Sequence, residues 1–325
     1  MAPGDKIEIG WVQDGDVEEI TALFSVVFKR PMFPEYYRRQ FYHPRHGGYK
    51  SALARVGGRI VSHAGFSPRD WIVNGSKGLV MAKHTSMTHP DYCGLGLYSQ
   101  VLHWANERLA DAGADMVLSW PNRNSHPMQR KRTSYEDVYQ IPAMKWMPKT
   151  KSPGPVHAVP FIETHEADFD RWMELAEKTG GTCLFSNIRT PEYLSWRYKH
   201  WPGTVYYAIE NHSGGTARSV VIFKLYPAEN PQVINIVEWL SDPESGEADH
   251  GLEQLEEWAA SVGLPVAIWH NVHDYPRHHL LERRGYVPSE PIFYFGVIPL
   301  GSPDRLGAYR DWRHWYMTMG DVDVF

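Results

Sequence analysis

The sequence contains little cysteine and no long apolar run. Only Cys93 and Cys183 occur among the 325 residues, without any closely spaced pair, so neither a disulfide framework nor a cysteine-rich zinc site is indicated. No apolar run approaches the roughly 20 residues of a membrane-spanning helix, and the first residues lack the apolar stretch of a signal peptide. These absences predict a cytoplasmic chain without membrane insertion.

Positive charge is also scarce. There are 33 Lys and Arg residues against 38 Asp and Glu, a net charge of -5, whereas nucleic-acid-binding domains usually carry a basic face. We therefore expect no nucleic-acid partner. Aromatic residues, in contrast, make up 13% of the chain and many lie among polar residues. Besides forming cores, such rings stack on sugars and bases, which points towards a carbohydrate-like or nucleotide-linked ligand.

The predicted elements recur in the same order in two halves of the chain. The first half reads as a strand, two helices, two strand pairs joined at Gly57-Gly58 and Asn74-Gly75, a helix ending at Gly113, and further strands. After a linker rich in Pro and Lys, residues 149–160, helices, strands, a helix and strands follow again. The length also exceeds what one core usually supports. The sequence thus predicts two α+β repeats, residues 1–150 and 151–325.

The segment THPDYCGLGLYS, residues 88–99, places two glycines between a strand and an amphipathic helix. A P-loop needs Gly-Lys-Ser/Thr after its glycines, and Leu97-Tyr98 excludes it. A dinucleotide-binding turn needs a third glycine where Ser99 stands, and a fully buried strand before it, but VMAKHTSMT is half polar. The amides and dipole at a helix N-terminus would still favour an anion such as a pyrophosphate, and glycine lets the backbone approach it closely.

The segment 87–122 resembles the acyl-CoA-binding region of GNAT-superfamily N-acyltransferases, in which Arg/Gln-x-x-Gly-x-Gly/Ala opens a helix after a strand and a proline. In one frame Asp91 replaces the leading basic residue. In the preferred frame Cys93 replaces it, and Tyr98 stands where the last small residue is usual. The segments PNRNSHPMQRKRTSYEDV, NIRTPEYLSWRYKHWPG and WYMTMGDVDVF resemble parts of acyltransferases of amino-sugar and polysaccharide pathways.

The resemblance implies a tandem GNAT-like fold, each repeat a mixed, mostly antiparallel sheet flanked by helices. Only the first repeat would bind coenzyme, since PESGEADHGLEQ puts acidic residues at the matching place in the second. The second repeat would be degenerate and would shape the acceptor cleft. The donor would be acetyl-CoA or another short acyl-CoA, the acceptor a small-molecule amine such as an amino sugar or nucleotide-linked amino sugar, and no metal is expected. The implied coenzyme-binding residues are Ser86, Met87, Thr88, Cys93, Gly94, Leu95, Gly96, Leu97, Tyr98, Ser99, Asn124 and Ser125.

Direct transfer to an amine needs a base, an oxyanion donor and a proton donor for the leaving thiolate. By resemblance, a backbone N–H of the strand at 78–88 stabilises the oxyanion. That strand contains no Asp or Glu, and His84 is its only group that titrates near neutrality. Strand alternation predicts that His84 shares a face with Ser86 and Thr88. Tyr135 is the candidate proton donor, and a packing role is the alternative.

Other interpretations stay open. Cys93 at a helix N-terminus could act as a nucleophile, although no His is identified as its base. His270, His273, His278 and His279 lie close together, but their spacing matches no known metal-ligand pattern. The chain could also acylate another small-molecule or peptide amine. Because the leading Arg and a carboxylate base are missing, it could instead bind acyl-CoA without catalysis.

Overall fold

A computed structural model describes residues 6–149, 159–160, 167–181, 183–199, 201–213, 216–226, 232–242, 248–269 and 275–322. Most of the predicted linker lies outside these residues. The chain forms two compact units, Met1–Tyr139 with Tyr294–Arg310, and Gln140–Phe293 with Asp311–Phe325.

Strands and helices alternate along both units. The strands are β1 (Ile7–Trp11), β2 (Tyr42–His43), β3 (Gly48–Tyr49), β4 (Ala52–Val56), β5 (Arg59–Val73), β6 (Ser76–Thr88), β7 (Ala114–Ser119), β8 (Glu136–Trp146), β9 (Val159–Pro160), β10 (Phe185–Asn187), β11 (Tyr206–Ser213), β12 (Thr216–Tyr226), β13 (Val233–Ser241), β14 (Val266–Trp269), β15 (Val287–Pro299) and β16 (Trp315–Tyr316). The helices are α1 (Val17–Phe28), α2 (Pro34–Phe41), α3 (Leu97–Asp111), α4 (His126–Arg132), α5 (Ala167–Gly180), α6 (Pro191–Tyr198), α7 (Ala248–Val262), α8 (Tyr275–Arg283) and α9 (Pro303–Leu306).

The sheet of the first unit has the order β1-β4-β5-β6-β7, with the end of β15 beside β7. Its strands pair antiparallel except β6 and β7, which are parallel. The hairpins predicted at Gly57-Gly58 and Asn74-Gly75 are confirmed, and all four turn residues have the positive φ that such tight turns require. On one face, the buried side of α3, which includes Val101 and Leu102, packs against β4, β5 and β6.

The second unit repeats this arrangement. Its sheet runs from residues 140–146 of β8 through β14, β13, β12 and β11 to β9, and β13 and β14 are its parallel pair. The order α5, α6, β11, β12, β13, α7, β14, α8 matches the order α1, α2, β4, β5, β6, α3, β7, α4 of the first unit. This confirms the predicted α+β tandem fold with mostly antiparallel sheets flanked by helices.

A β-bulge marks the same strand in both repeats. In β6, Thr85 and Ser86 stand opposite the single residue Ala64 of β5. In β13, Val237 is the extra residue opposite the step from Ile222 to Phe223 of β12. A bulge bends the strand and leaves one residue out of the regular ladder, so both repeats deform the strand that precedes their long helix.

The units do not divide the chain at residues 150 and 151. Residues 294–299 of β15 complete the first sheet, where Gly296 pairs with Ser119. Residues 140–146 of β8 belong to the second unit, where Met144 pairs with Ile268. The linker composition suggested a simple boundary, but long-range strand pairing decides which residues share a unit, and local composition does not encode that pairing.

In the second unit the C-terminal turn fills the space beside the bulge of β13. The Arg189 guanidinium donates to Glu238 Oε1 at 2.9 Å and to Asp321 Oδ2 at 3.2 Å, and all three side chains are buried. Arg197 of α6, in the segment YLSWRY, donates to the carbonyls of Gly320 at 2.8 Å and Val322 at 2.7 Å. These buried charges tie the turn at 318–322 to the sheet.

We expect Gly320→Ala to destabilise the second unit strongly. The added Cβ would collide with the Tyr198 hydroxyl and lie 2.7 Å from Glu238 Oε1 and 2.9 Å from the Val237 carbonyl. Overpacking of this kind costs about 1–3 kcal/mol. Urea unfolding measures the loss.

Gly180→Ala is the matched control, because its Cβ would meet only ordinary contacts at 3.7 Å. Equal stability of the two variants would contradict the tight seating of the C-terminal turn.

Candidate functional site

A cavity opens in the first unit where β6 and β7 part. Their parallel pairing ends at Lys83 and Ser119, while β6 continues to Thr88. The edge of β6 from residue 84 onwards therefore has no partner in β7. The cavity, of about 290 Å³, lies beside this edge, the N-terminus of α3 and α4. It is lined by Ser86, Met87, Thr88, Tyr92, Cys93, Gly94, Gly96, Leu97, Tyr98, Ser99, Ser125, Met128, Gln129 and Arg132.

All the predicted coenzyme-binding residues except Leu95 and Asn124 line this cavity. The Leu95 side chain is 46% exposed. The Asn124 amide donates to Asn122 Oδ1 at 3.0 Å, which is the turn-forming role that Asn commonly has. The sequence prediction missed four lining residues, Tyr92, Met128, Gln129 and Arg132. Three of them belong to α4. This seven-residue helix begins within the turn-like segment PNRNSHP and is too short to show a helical period.

Gly94 and Gly96 are required for their backbone conformation, not because a side chain would collide with a neighbour. Gly94 has φ +81° and Gly96 has φ +74°, and a Cβ at either position would meet nothing within 4 Å. Gly96 is the N-cap of α3 and provides no side-chain acceptor for the first amides of the helix. Uncapped amides at the positive end of a helix dipole attract an anion. The turn thus has the physical properties of a phosphate site.

Arg132 adds positive charge to the same cavity. It forms no ion pair with any of the residues that the structure describes, whereas its neighbour Arg130 lies 3.0 Å from Asp137. Cys93 occupies the place of the basic residue that the motif usually carries, and its thiol donates towards the carbonyls of Thr88 at 3.8 Å and His89 at 3.6 Å. Neither carbonyl is a base, so these contacts do not activate the thiol.

The predicted placement of side chains along β6 is wrong because the strand contains a bulge. Simple alternation put His84, Ser86 and Thr88 on one face, but Thr85 has φ +48° and inserts an extra residue. Ser86 Oγ consequently lies 2.8 Å from the Tyr98 hydroxyl, on the side where the Lys83 ammonium lies over the Tyr98 ring. Ser86 and Lys83 therefore share the α3 side of the strand.

His84 lies on the opposite side of β6 and does not line the cavity. Its ring stacks on Trp120 at a centroid distance of 6.1 Å and an angle of 3°, and Phe41 of α2 lies 6.5 Å away. The residue is 5% exposed. A base at this position would approach the reacting carbonyl from across the strand, so its catalytic role stays a prediction.

Tyr135 does not line the cavity either. Its ring is buried in the core of the first unit and packs on Gly296, where a Cβ would lie 2.5 Å from Tyr135 Cε2. Burial raises the pKa of the Tyr135 hydroxyl, so the proton is held tightly. The sequence suggested a hydroxyl from the turn after Trp120, but β8 begins at the residue after Tyr135 and directs the ring into the sheet.

A family model matches the part of the chain that contains the cavity. Residues 8–135 match the family model described as an acetyltransferase (GNAT) domain. The matched residues extend from β1 to the residue before β8 and include every residue that lines the cavity. This family match supports an acyl-CoA-dependent N-acyltransferase. A comparison with curated protein sequences gives no significant match.

Solved structures resemble 90% or 91% of the chain in fold. A GCN5-related N-acetyltransferase from Anabaena variabilis has a TM-score of 0.67 at 10% identity, covering 91% of this chain and 73% of that one. A probable N-acyltransferase from Enterococcus faecalis has a TM-score of 0.66 at 15% identity, with coverage of 91% and 72%. N-myristoyltransferase from Saccharomyces cerevisiae, with bound myristoyl-CoA, has a TM-score of 0.61 at 11% identity, with coverage of 90% and 82%.

A buried hydrogen-bond relay from Tyr37 through His63 to Thr85 holds the bulge of β6 in place. His63 Nδ1 lies 2.9 Å from the Thr85 carbonyl, and His63 Nε2 lies 2.8 Å from the Tyr37 hydroxyl. Burial lowers the pKa of His63 to about 4, so the ring is neutral at pH 7. Because a carbonyl only accepts, Nδ1 carries the proton and Nε2 accepts from Tyr37. The sequence prediction missed this relay because its members lie on three separate elements.

Two further expectations concern metals and membranes. Within the described ranges, no group of three or more His, Cys, Asp and Glu side chains could hold a metal ion. His278 and His279 lie 3.4 Å and 3.3 Å from carboxylate oxygens of Glu282, and His270 and His273 lie outside the described residues. No helix in the described part of the chain is long and apolar enough to span a membrane.

We expect Tyr37→Phe to destabilise the first unit by about 1–3 kcal/mol, because it leaves the buried His63 Nε2 without its donor. Urea unfolding measures this loss. Tyr42→Phe is the control, since Tyr42 is 49% exposed and surface changes stay within about 0.5 kcal/mol. If both variants unfold like the wild type, the relay does not stabilise the bulge.

Proposed function

We propose that the GNAT domain transfers an acetyl or other short acyl group from acyl-CoA to a primary amine of a small molecule. The observation that carries this proposal is the cavity in which the uncapped N-terminus of α3 and the unpaired edge of β6 meet. We further propose an amino sugar or nucleotide-linked amino sugar as the acceptor, on the basis of the sequence resemblance and the many aromatic residues in polar surroundings.

In this proposal the coenzyme pyrophosphate lies at the turn from Cys93 to Ser99. The first amides of α3 donate to the phosphate oxygens, and hydrogen bonds to a charged group contribute about 1.5–3 kcal/mol each. Arg132 supplies the cation that position 93 lacks. The pantetheine arm runs along the edge of β6 beyond Lys83, whose backbone groups have no β7 partner.

The acyl group would be transferred directly to the amine. The acceptor nitrogen attacks the thioester carbonyl, and a backbone N–H at the bulge of β6 stabilises the oxyanion. His84, on the opposite side of the strand from the cavity, accepts the ammonium proton. A donor and an acceptor that approach from opposite sides of β6 can meet at the bulge without competing for space.

One assay tests the proposal against its rivals. Purified full-length protein is mixed with acetyl-CoA and a panel of amino sugars, nucleotide-linked amino sugars, other small amines and peptides, and thiol release is followed with a thiol-reactive dye. Thermal shift with coenzyme A measures binding separately. If no amine gives thiol release and coenzyme A gives no thermal shift, the proposal that the protein is an enzyme is rejected. A shift without turnover of any amine would favour a non-catalytic acyl-CoA-binding module, and turnover of a different amine would correct the acceptor.

We expect Gly96→Glu to abolish coenzyme A binding, because the side chain brings negative charge and backbone strain to the proposed pyrophosphate site. Isothermal titration calorimetry with coenzyme A measures the affinity.

Gly113→Glu is the matched control. Gly113 follows the other end of α3, has φ +82° and also meets nothing within 4 Å, so the backbone strain is similar but the cavity is untouched. Loss of binding in both variants, or in neither, would contradict the proposed position of the pyrophosphate.

We expect His84→Gln to lower kcat by about 10²–10⁴-fold, the usual contribution of a general base, while coenzyme A affinity changes little because His84 lies outside the cavity. Steady-state kinetics with the best amine of the panel measures kcat. His103→Gln serves as control, since this histidine is exposed on α3. A kcat equal to that of the wild type would remove His84 as the base.

A further inference from the structure

Lys83 is a buried amine at the point where β6 and β7 part. It forms the last residue pair of the parallel ladder, opposite Ser119, and only 5% of its surface is exposed. Nothing in the proposed roles of the turn, the bulge or His84 requires a lysine here. A buried lysine without a counter-ion is unfavourable for folding. Stability therefore does not explain why a lysine is present at this position.

The amine is held by groups of α3, α4 and β7. Its Nζ donates to Gln129 Oε1 at 2.8 Å and lies 5.9 Å from the centre of the Tyr98 ring. Ser119 Oγ donates to the same Gln129 Oε1 at 3.0 Å. Tyr98 is the one titratable neighbour in these contacts, and burial raises its pKa to about 12. No carboxylate of the described residues forms an ion pair with Lys83.

The two donors define the orientation of the Gln129 amide. Because Lys83 and Ser119 both donate, the atom between them must be the carbonyl oxygen. The Nε2 of Gln129 is then on the other branch of the amide, and it makes no hydrogen bond to any residue that the structure describes. Gln129 lines the cavity. A donor fixed from behind by a charged group is thus available to a ligand there.

The charge of Lys83 is poised to respond to such a ligand. Burial lowers the pKa of its amine to about 7, so in the free protein the ammonium is present below that pH and is lost as the pH rises through it. A negative charge that develops nearby would favour the ammonium and would itself be stabilised. In acyl transfer, negative charge develops on the leaving sulfur.

We propose that Lys83 is a positioning residue that, through Gln129, stabilises the thiolate leaving group; this rests on the proposed function. When the C–N bond to the acceptor forms, the C–S bond breaks and its electron pair stays on the sulfur. Gln129 Nε2 donates to that sulfur, with the ammonium polarising the amide from behind. The proton of the acceptor nitrogen goes to the base, and the thiolate takes a proton from water after release.

The ionisation of bound coenzyme A tests this role without turnover. Coenzyme A carrying carbon-13 next to its sulfur is bound to the full-length protein and followed by NMR from about pH 5 to about pH 10, a range that spans the ordinary thiol pKa of about 8.5. In the wild type the bound thiol should ionise at least about tenfold more readily, that is, about one pH unit lower. In Lys83→Met it should return to its ordinary range.

Gln129→Glu provides a second variant of the same size, in case Lys83→Met folds poorly. Its carboxylate would pair with the lysine and lose the N–H, so the thiol should ionise at or above its ordinary pH. Lys77→Met, an exposed change on the same strand, should behave as the wild type. Binding with equal thiol ionisation in the wild type and both site variants overturns this inference alone. Absence of coenzyme A binding in the wild type overturns the proposed function with it.

Discussion

The parting of β6 from β7 is the constraint on which the first unit depends. Parallel pairing ends at Lys83 and Ser119, and the bulge at Thr85 then turns the remaining part of β6. Together they create an unpaired strand edge next to the N-terminus of α3. At the bulge, the buried neutral imidazole of His63 donates to the Thr85 carbonyl at 2.9 Å. Without that bond the bulge would leave a polar group buried and unsatisfied, which costs about 1–3 kcal/mol.

In the second repeat, the described residues beside the matching bulge leave a cavity of only about 30 Å³. Its β13 carries a bulge at the matching position, but the C-terminal turn occupies the adjacent space. Arg189, Glu238 and Asp321 are buried together there. Buried ion pairs contribute little net stability because of their desolvation cost, yet removing one partner is strongly destabilising. The network therefore serves to hold one arrangement of the C-terminal turn, and Gly320 allows the backbone to approach closely enough.

Charge is distributed to suit an anionic ligand in the first unit. The first turn of α3 has no acidic residue, Arg132 adds an unpaired cation among the described residues, and Lys83 lies just behind the cavity wall. These charges lie on different elements, so folding must bring them together. The chain as a whole is acidic, at -5, which makes the local concentration of positive charge more informative than the total. At the N-terminus of α3, the helix dipole and the nearby side-chain cations all favour the binding of a negative charge.

The sequence by itself determined the features that depend on neighbouring residues. The hairpins at Gly57-Gly58 and Asn74-Gly75, the buried face of α3 and the two-glycine turn all follow from short-range patterns, because positive φ and helical periodicity are local properties. The repeated order of elements was readable for the same reason. Most of the residues predicted to bind coenzyme come from one continuous segment, and their presence along one cavity follows from that continuity.

Only the tertiary structure decided the features that depend on pairing between distant segments. The bulge in β6 arises from its register with β5, so alternation alone could not place Ser86 and His84 on opposite sides. Gln129 and Arg132 reach the cavity because α4 packs there, and Lys83 gains its role only from Gln129 and Ser119. The division of β8 and β15 between the units likewise depends on pairing between residues far apart in the sequence, such as Met144 with Ile268 and Ser119 with Gly296. Such contacts are set by the free energy of the whole fold, which no short segment contains.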